Sequence, residues 1–373
     1  MPKKQSKHKS FKYKYKKYKA KYLKQLSQIH KQLSSHPPSI ISKIKAFLYG
    51  SCVGDALGSR YEFLDSDQAT KLVTQDSTNS SQLNILGGGP FKTHPGQISD
   101  DTEMMLCLLR SIATSSQPPT YSQSTTADYY IEWFSTNPID VGKTISRSLF
   151  TRQKSLTAQD MINNSSELNN TSLSNGTLMR IAPLAILALS LKDSQLKKIV
   201  DQECDLTHPN IIIKDACFIF CLAIKYSLLN FTKKQIFKLI LNKSREPRVK
   251  IIIRDSIDTP EPTYLIDDLL KESYINSDSK RYQGYFGISL QNALYEFFNG
   301  DDFDNSLINI IKRGGDVDTN CAIAGALLGA FYDINKINTE WLNTIKTADY
   351  ERRKKYINYD VNIIDKYVSK LFS

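Results

Sequence analysis

Along most of the chain apolar residues recur at three- and four-residue steps, a spacing that predicts helices. It predicts a helix through Gly50, Gly54 and Gly58 that ends before Glu62, and further helices over 102–113, 127–135, 143–153, 212–229 and 289–298. A helix of small residues follows Asp318, and residues 340–373 also read as helical. Residues 65–98 and 154–171 carry little periodic pattern and read as loops. Residues 232–280 are charged and irregular, and Pro247, Pro260 and Pro262 point to an insertion or lid over 232–282. Val249–Ile253 is the one β-branched run and lies in that irregular region, so the expected fold class is all-α.

The first 36 residues have their own pattern. Phe11, Tyr15, Tyr18, Tyr22, Leu26, Ile29 and Leu33 make an aromatic-aliphatic helical stripe set among lysines. Ser34-Ser35-His36-Pro37-Pro38 closes it, dividing the chain into an extension, 1–36, and a body, 37–373. Charge follows the same division. Of 373 residues with net charge +11, the extension holds twelve Lys and no acid, leaving 11 − 12 = −1 for the body. The basicity therefore belongs to an appendage that could dock on the body, pair with another chain, bind an anionic partner (a nucleic acid or a membrane surface), or be a solvated tail or nuclear-import signal. Six cysteines without metal spacing, mostly in apolar runs, fit reduced core residues in the cytoplasm or nucleus. No apolar run is long enough to span a bilayer, and the N-terminus lacks a secretory signal's apolar segment.

Chemistry concentrates in two stretches of one design. In Arg313-Gly-Gly-Asp-Val-Asp-Thr-Asn320 a glycine pair precedes Asp316, Asp318 and Thr319 at the start of a helix with Gly325 and Gly329 on one face. In Ser99-Asp-Asp-Thr-Glu103, Asp100 and Asp101 again stand with hydroxyls at a helix start. Helix capping explains one acid at each place, and Lys312 or Arg313 could pair the second cluster. Two oxygen-rich helix starts suggest a shared site for hard divalent cations. Asp55, among small and apolar neighbours, is expected to be buried with a partner, and Glu62 is a third acidic candidate. The Asn175-Gly176 turn before Met179 offers backbone amides to an anion or simply starts a helix. His208 before Pro209 fits a structural histidine or a site residue.

Five stretches in order resemble the ADP-ribosylglycohydrolase family. They are G-x-x-x-GDALG-x-x-x-EF at 50–63, SDDT-x-M at 99–104, SNGTLMRIAPLAI at 174–186, THP at 207–209 and GGD-x-DTN-x-AIAGALLGA at 314–330. The resemblance implies a compact, single-domain, all-α fold with two Mg2+ or Mn2+ ions in a central cleft. It also implies hydrolysis of the glycosidic bond between ADP-ribose and an acceptor, which makes an ADP-ribosylated protein or a small conjugate the substrate. By position it makes Ser99, Asp100, Asp101, Asp316, Asp318 and Thr319 metal ligands. Glu62, Asp100, Asp101 and Asp316 become the catalytic set, with Glu62 the acid-base group, and Gly142, Asn175, Gly176, Met179 and His208 line the ADP-ribose pocket. Ser99 stands where Thr is usual, and Val317 where Thr or Ala is usual. A monomer is expected. Two alternatives stay open: a member that binds without turnover, and a protein tethered to nucleic acid or membrane by its basic extension.

Overall fold

The computed structural model describes residues 38–77, 82–115, 117–151, 155–262 and 284–372. The predicted extension, its stripe, and residues 263–282 of the predicted insertion lie outside these. The unit Ser42–Ser373 is compact, and its described residues form helices with no strand. In chain order these are α1 (Pro38–Gly58), α2 (Ser66–Ser77), α3 (Asp100–Thr114), α4 (Gln123–Ser135), α5 (Lys143–Ser148) and α6 (Ala158–Leu168). Then come α7 (Leu184–Ala188), α8 (Asp193–Asp205), α9 (Ile211–Leu228), α10 (Lys233–Lys243), α11 (Pro247–Asp255) and α12 (Phe286–Asn299). The last are α13 (Phe303–Arg313), α14 (Val317–Tyr332), α15 (Thr339–Thr347), α16 (Glu351–Lys355) and α17 (Ile363–Leu371).

The core is built around α14, buried from Val317 to Ala330. Helices α3, α9, α12 and α13 pack on it. Along a further side runs α1, whose glycine row meets the glycines of α14. A methyl group on Gly50 would stand 2.5 Å from the Gly325 carbonyl oxygen, and one on Gly54 or Gly329 would overlap the opposite backbone. Two glycine faces predicted separately from the sequence thus face each other, and backbone approaches backbone as small residues permit. This seam brings the C-terminal end of α1, with Asp55, to the N-terminal end of α14, with Asp318.

Three segments depart from the expected pattern. Ser66–Ser77, predicted as loop, is helix α2, held by only two buried side chains, Ala69 and Val73. Within 154–171, Thr157 and Asp160 form a reciprocal capping box that starts α6. The β-branched run Val249–Ile253 lies in α11, where Pro247 occupies the first turn and starts the helix. Val249, Ile252 and Ile253 are its buried side, at helical spacing. The described part of 232–282 is thus mostly two helices, α10 and α11, that pack on each other and on α9, with α11 also on α12. No helix among the described residues is long and apolar enough to cross a membrane. All six cysteines are buried and free.

Candidate active site

Backbone geometry fixes the acids before any ligand is considered. Ser99 caps α3, and its hydroxyl accepts from the Asp101 N–H while donating to Asp101 Oδ2 at 2.9 Å. Glu103 takes no part in the cap; it accepts from Trp133 Nε1 at 2.7 Å and pairs with Arg352. Behind the cap, the Ser99 N–H donates to both carboxylate oxygens of Asp55, at 3.1 and 3.0 Å, and the Thr102 hydroxyl donates to Oδ2. Asp55 thus ties α1 to the first turn of α3. It is the buried, partnered acid the sequence predicts.

The second cluster is set by the glycine turn. Gly314 and Gly315 have φ of 76° and 87°, a left-handed conformation natural to glycine. Their backbone is laced to the segment after Glu62: the Phe63 N–H donates to the Gly315 carbonyl at 2.7 Å, and the Gly315 N–H to the Leu64 carbonyl at 2.8 Å. Asp316 sits at the cap of α14 yet makes no side-chain cap bond. Its Oδ2 accepts from Asn175 Nδ2 at 2.6 Å, and Asn175 Nδ2 also reaches the Ser289 hydroxyl at 3.0 Å. Arg313 turns away, to Asn292 and Glu296, and Lys312 is exposed. Pairing by either residue is thereby absent.

The result is a convergence. Carboxylates of Asp55, Asp101 and Asp318 approach within 4.8 Å of one another, and so do those of Glu62, Asp316 and Asp318. All are buried, and among the described residues none of them forms an ion pair. Asp100, equally buried, lies outside both triads, with Asp101 and Asp140 as its strongest charged neighbours. Thr319 lies beside Asp101 and Asp316. Burial, joined by mutual repulsion, raises the pKa of Asp100, Asp101, Asp316 and Asp318, and pushes Glu62 up to about 9 and Asp55 to about 6.

Two acids not among the expected ligands join this group. Asp55 was singled out from its apolar surroundings. Asp140 is half-buried beside Glu62 and Asp100, in a Pro138–Gly142 stretch whose sequence carries no special spacing.

Of the remaining expected residues, Asn175 is the one bonded to Asp316. The Asn175 N–H donates to the Gly284 carbonyl at 3.0 Å, and Gly142 is exposed at the start of α5. Met179 is buried. His208 is fully buried beneath Gly176, its Nε2 on the Ser174 hydroxyl at 2.8 Å and its Nδ1 on the Thr177 hydroxyl at 2.9 Å. Burial lowers its pKa well below the usual histidine range, so it supports the turn as a neutral ring. Sequence reasoning did not single out Arg180, which is fully buried. It donates to the Gly176 carbonyl at 2.9 Å and pairs with Glu203 at 2.9 Å.

The sequence model of the ADP-ribosylglycohydrolase family matches residues 36–368. This chain belongs to the ADP-ribosylglycohydrolase family. A protein of Acanthamoeba polyphaga mimivirus, provisionally named an ADP-ribosyl glycohydrolase, is 30% identical over 321 residues, 84% of this chain and 93% of its own. The ADP-ribosyl-[dinitrogen reductase] glycohydrolase of Rhodospirillum rubrum is 26% identical over 310 residues, covering 83% and 92%. An ADP-ribosylglycohydrolase-related protein of known structure superposes with a TM-score of 0.62 over 90% of this chain and 98% of its own, at 20% identity, and so shares the fold. The family is one of hydrolases that act on ADP-ribose linkages.

Proposed function

We propose that the protein is a divalent-cation-dependent hydrolase that cleaves the glycosidic bond between ADP-ribose and an acceptor side chain. The observation that carries this reading is the meeting of Asp101 and Asp318, 318 − 101 = 217 positions apart, with Asp55 within 4.8 Å. Buried carboxylates without a cationic partner cost several kcal/mol each, a cost that hard cations remove. The donor set fits such ions: Asp101 Oδ1 and Glu62 Oε2 are buried with no hydrogen-bond partner. Asp55, Asp101, Asp316 and Asp318, with the Thr319 hydroxyl, would hold one or two Mg2+ or Mn2+ ions. When bound, they would supply Lewis-acid charge to the oxygens of the ribose at the scissile bond.

The chain's own groups do the rest. Glu62 follows the one-turn helix Ser59–Tyr61, and its free Oε2 is the oxygen that would hand a proton to the leaving acceptor. Asn175 orients Asp316 through a hydrogen bond to its Oδ2. The Asn175–Gly176 turn, anchored by Arg180, would carry the phosphates. The test is hydrolysis of ADP-ribosylated peptides by the purified protein before and after chelation. Activity should vanish with the chelator and return with Mg2+ or Mn2+, and Asp316→Asn should weaken Mn2+ binding without loss of helical circular dichroism. Full activity after exhaustive chelation would refute the proposal.

A further inference from the structure

Arg180 and Glu203 form an ion pair in which both side chains are wholly excluded from solvent, with Nε on Oε1 at 2.9 Å. Glu203 also accepts from the Tyr130 hydroxyl at 2.7 Å and the Tyr121 hydroxyl at 2.9 Å, and the Arg180 guanidinium lies over the Tyr130 ring, 4.8 Å from its centre. Such a pair is a poor device for stability alone, because apolar groups of similar volume hold a fold as well without the cost of desolvation. What a planar guanidinium with all three nitrogens engaged does supply is direction. Nη1 donates to the Gly176 carbonyl at 2.9 Å, and Nη2 to the Thr207 hydroxyl at 2.8 Å. The bond to Gly176 reaches back four residues and closes the turn that carries Asn175. From that turn Asn175 Nδ2 donates to Asp316 Oδ2 at 2.6 Å. The line from Glu203 through Arg180, Gly176 and Asn175 to Asp316 is unbroken.

We infer that Arg180 and Glu203 are positioning residues for the cation site: held by the two tyrosines, they fix the Asn175–Gly176 turn and, through Asn175, the direction of the Asp316 carboxylate. The inference rests on the cation reading proposed above, and neither residue would touch the ions. Asp316 has need of an outside guide. It follows the left-handed Gly314–Gly315 turn, and its side chain makes no cap bond to α14. Groups behind a metal ligand set its orientation, and their loss weakens metal binding by about 10–100-fold. Here the guide is a neutral amide on a turn, and it is only as fixed as that turn. A rival role for the pair is a plain staple between α4, which carries Tyr130, and α8, which carries Glu203. A staple would matter to melting and leave Asp316 as it is.

The experiment is a double-mutant cycle on the full-length protein, reading Mn2+ affinity by calorimetry at a temperature where circular dichroism shows each variant folded. Arg180→Lys keeps a charge beside Glu203 and removes the planar fork. Asn175→Ala removes the link to Asp316. Each alone should weaken Mn2+ binding about tenfold. Because one acts through the other, the double variant should bind within about twofold of Asn175→Ala. Arg180→Met combined with Glu203→Met runs the same cycle without leaving an unpaired charge in the core, and it should lose as much affinity as Arg180→Lys. Losses that multiply to roughly a hundredfold in the double variant would mean that Arg180 does not act through Asn175, and would overturn the inference. So would wild-type affinity in Arg180→Lys together with a lowered melting temperature, the signature of a staple. A wild type that binds no Mn2+ at all would refute the cation reading itself, and the inference would fall with it.

Discussion

A methyl group on Gly58 would stand 2.6 Å from the α-carbon of Asp318. Gly58 has φ −71° and ψ −34°, which any residue can adopt, so only steric room requires glycine there. Gly58→Ala should force α1 away from α14, at about 1–3 kcal/mol as for other overpacked sites. Because Asp55 and Asp318 ride on the two separated helices, Mn2+ affinity should fall with stability. Urea denaturation and calorimetric titration check both. A wild-type midpoint with wild-type affinity would show that the seam has slack.

Glu62→Gln keeps the size of the side chain and removes the titrating oxygen. Turnover should fall by about 10²–10⁴, the usual contribution of a positioned acid-base group, while affinity for ADP-ribose stays within a few-fold. Equal losses in both would make Glu62 a ligand or a scaffold.

The acids also predict how stability follows pH. Burial, with Asp316 next, raises Glu62 from an ordinary 4.5 to about 9. Between those values the folded, metal-free protein holds a proton that the unfolded chain has released, so its stability falls as pH rises through that window. Asp100, Asp101 and Asp318 are raised by burial and add in the same direction. Saturating Mg2+ should flatten the slope, because ions take the place of protons. Melting temperatures in chelator from pH 5 to 9 test this, and a melting point that climbs with pH would contradict it.

Removal of residues 1–36 should leave turnover of a small ADP-ribose conjugate intact, since the family match begins at residue 36. What should disappear is salt-sensitive binding to nucleic acid or anionic vesicles, because twelve lysines are lost. A truncated protein unable to hydrolyse the small conjugate would mean that the extension belongs to the catalytic body.

Much of this was legible in the sequence because it depends on spacing. Glycines four apart at 50, 54 and 58 and at 325 and 329 announced two bare helix faces, which meet. What misled was local composition. Helix α2 buries only Ala69 and Val73, too few for a visible period. In α11 the β-branched residues hid a helical placement of Val249, Ile252 and Ile253. Asp140 could not be found from sequence, since only the fold carries its loop to Glu62. Nor could the direction of Arg313, which Glu296 and Asn292 draw away from the neighbouring aspartates.

That the two halves of the site come from distant parts of the chain has a consequence for biosynthesis. Asp318 follows Asp101 by 318 − 101 = 217 residues, so at ordinary rates of elongation it leaves the ribosome roughly ten to forty seconds later. Throughout that interval α1 and α3 lack the helix that completes their core, and Asp55 and Asp101 lack Asp318. The nascent chain can therefore gather no full set of these carboxylates, and the cations proposed here could begin to stabilise it only after α14 has emerged and inserted.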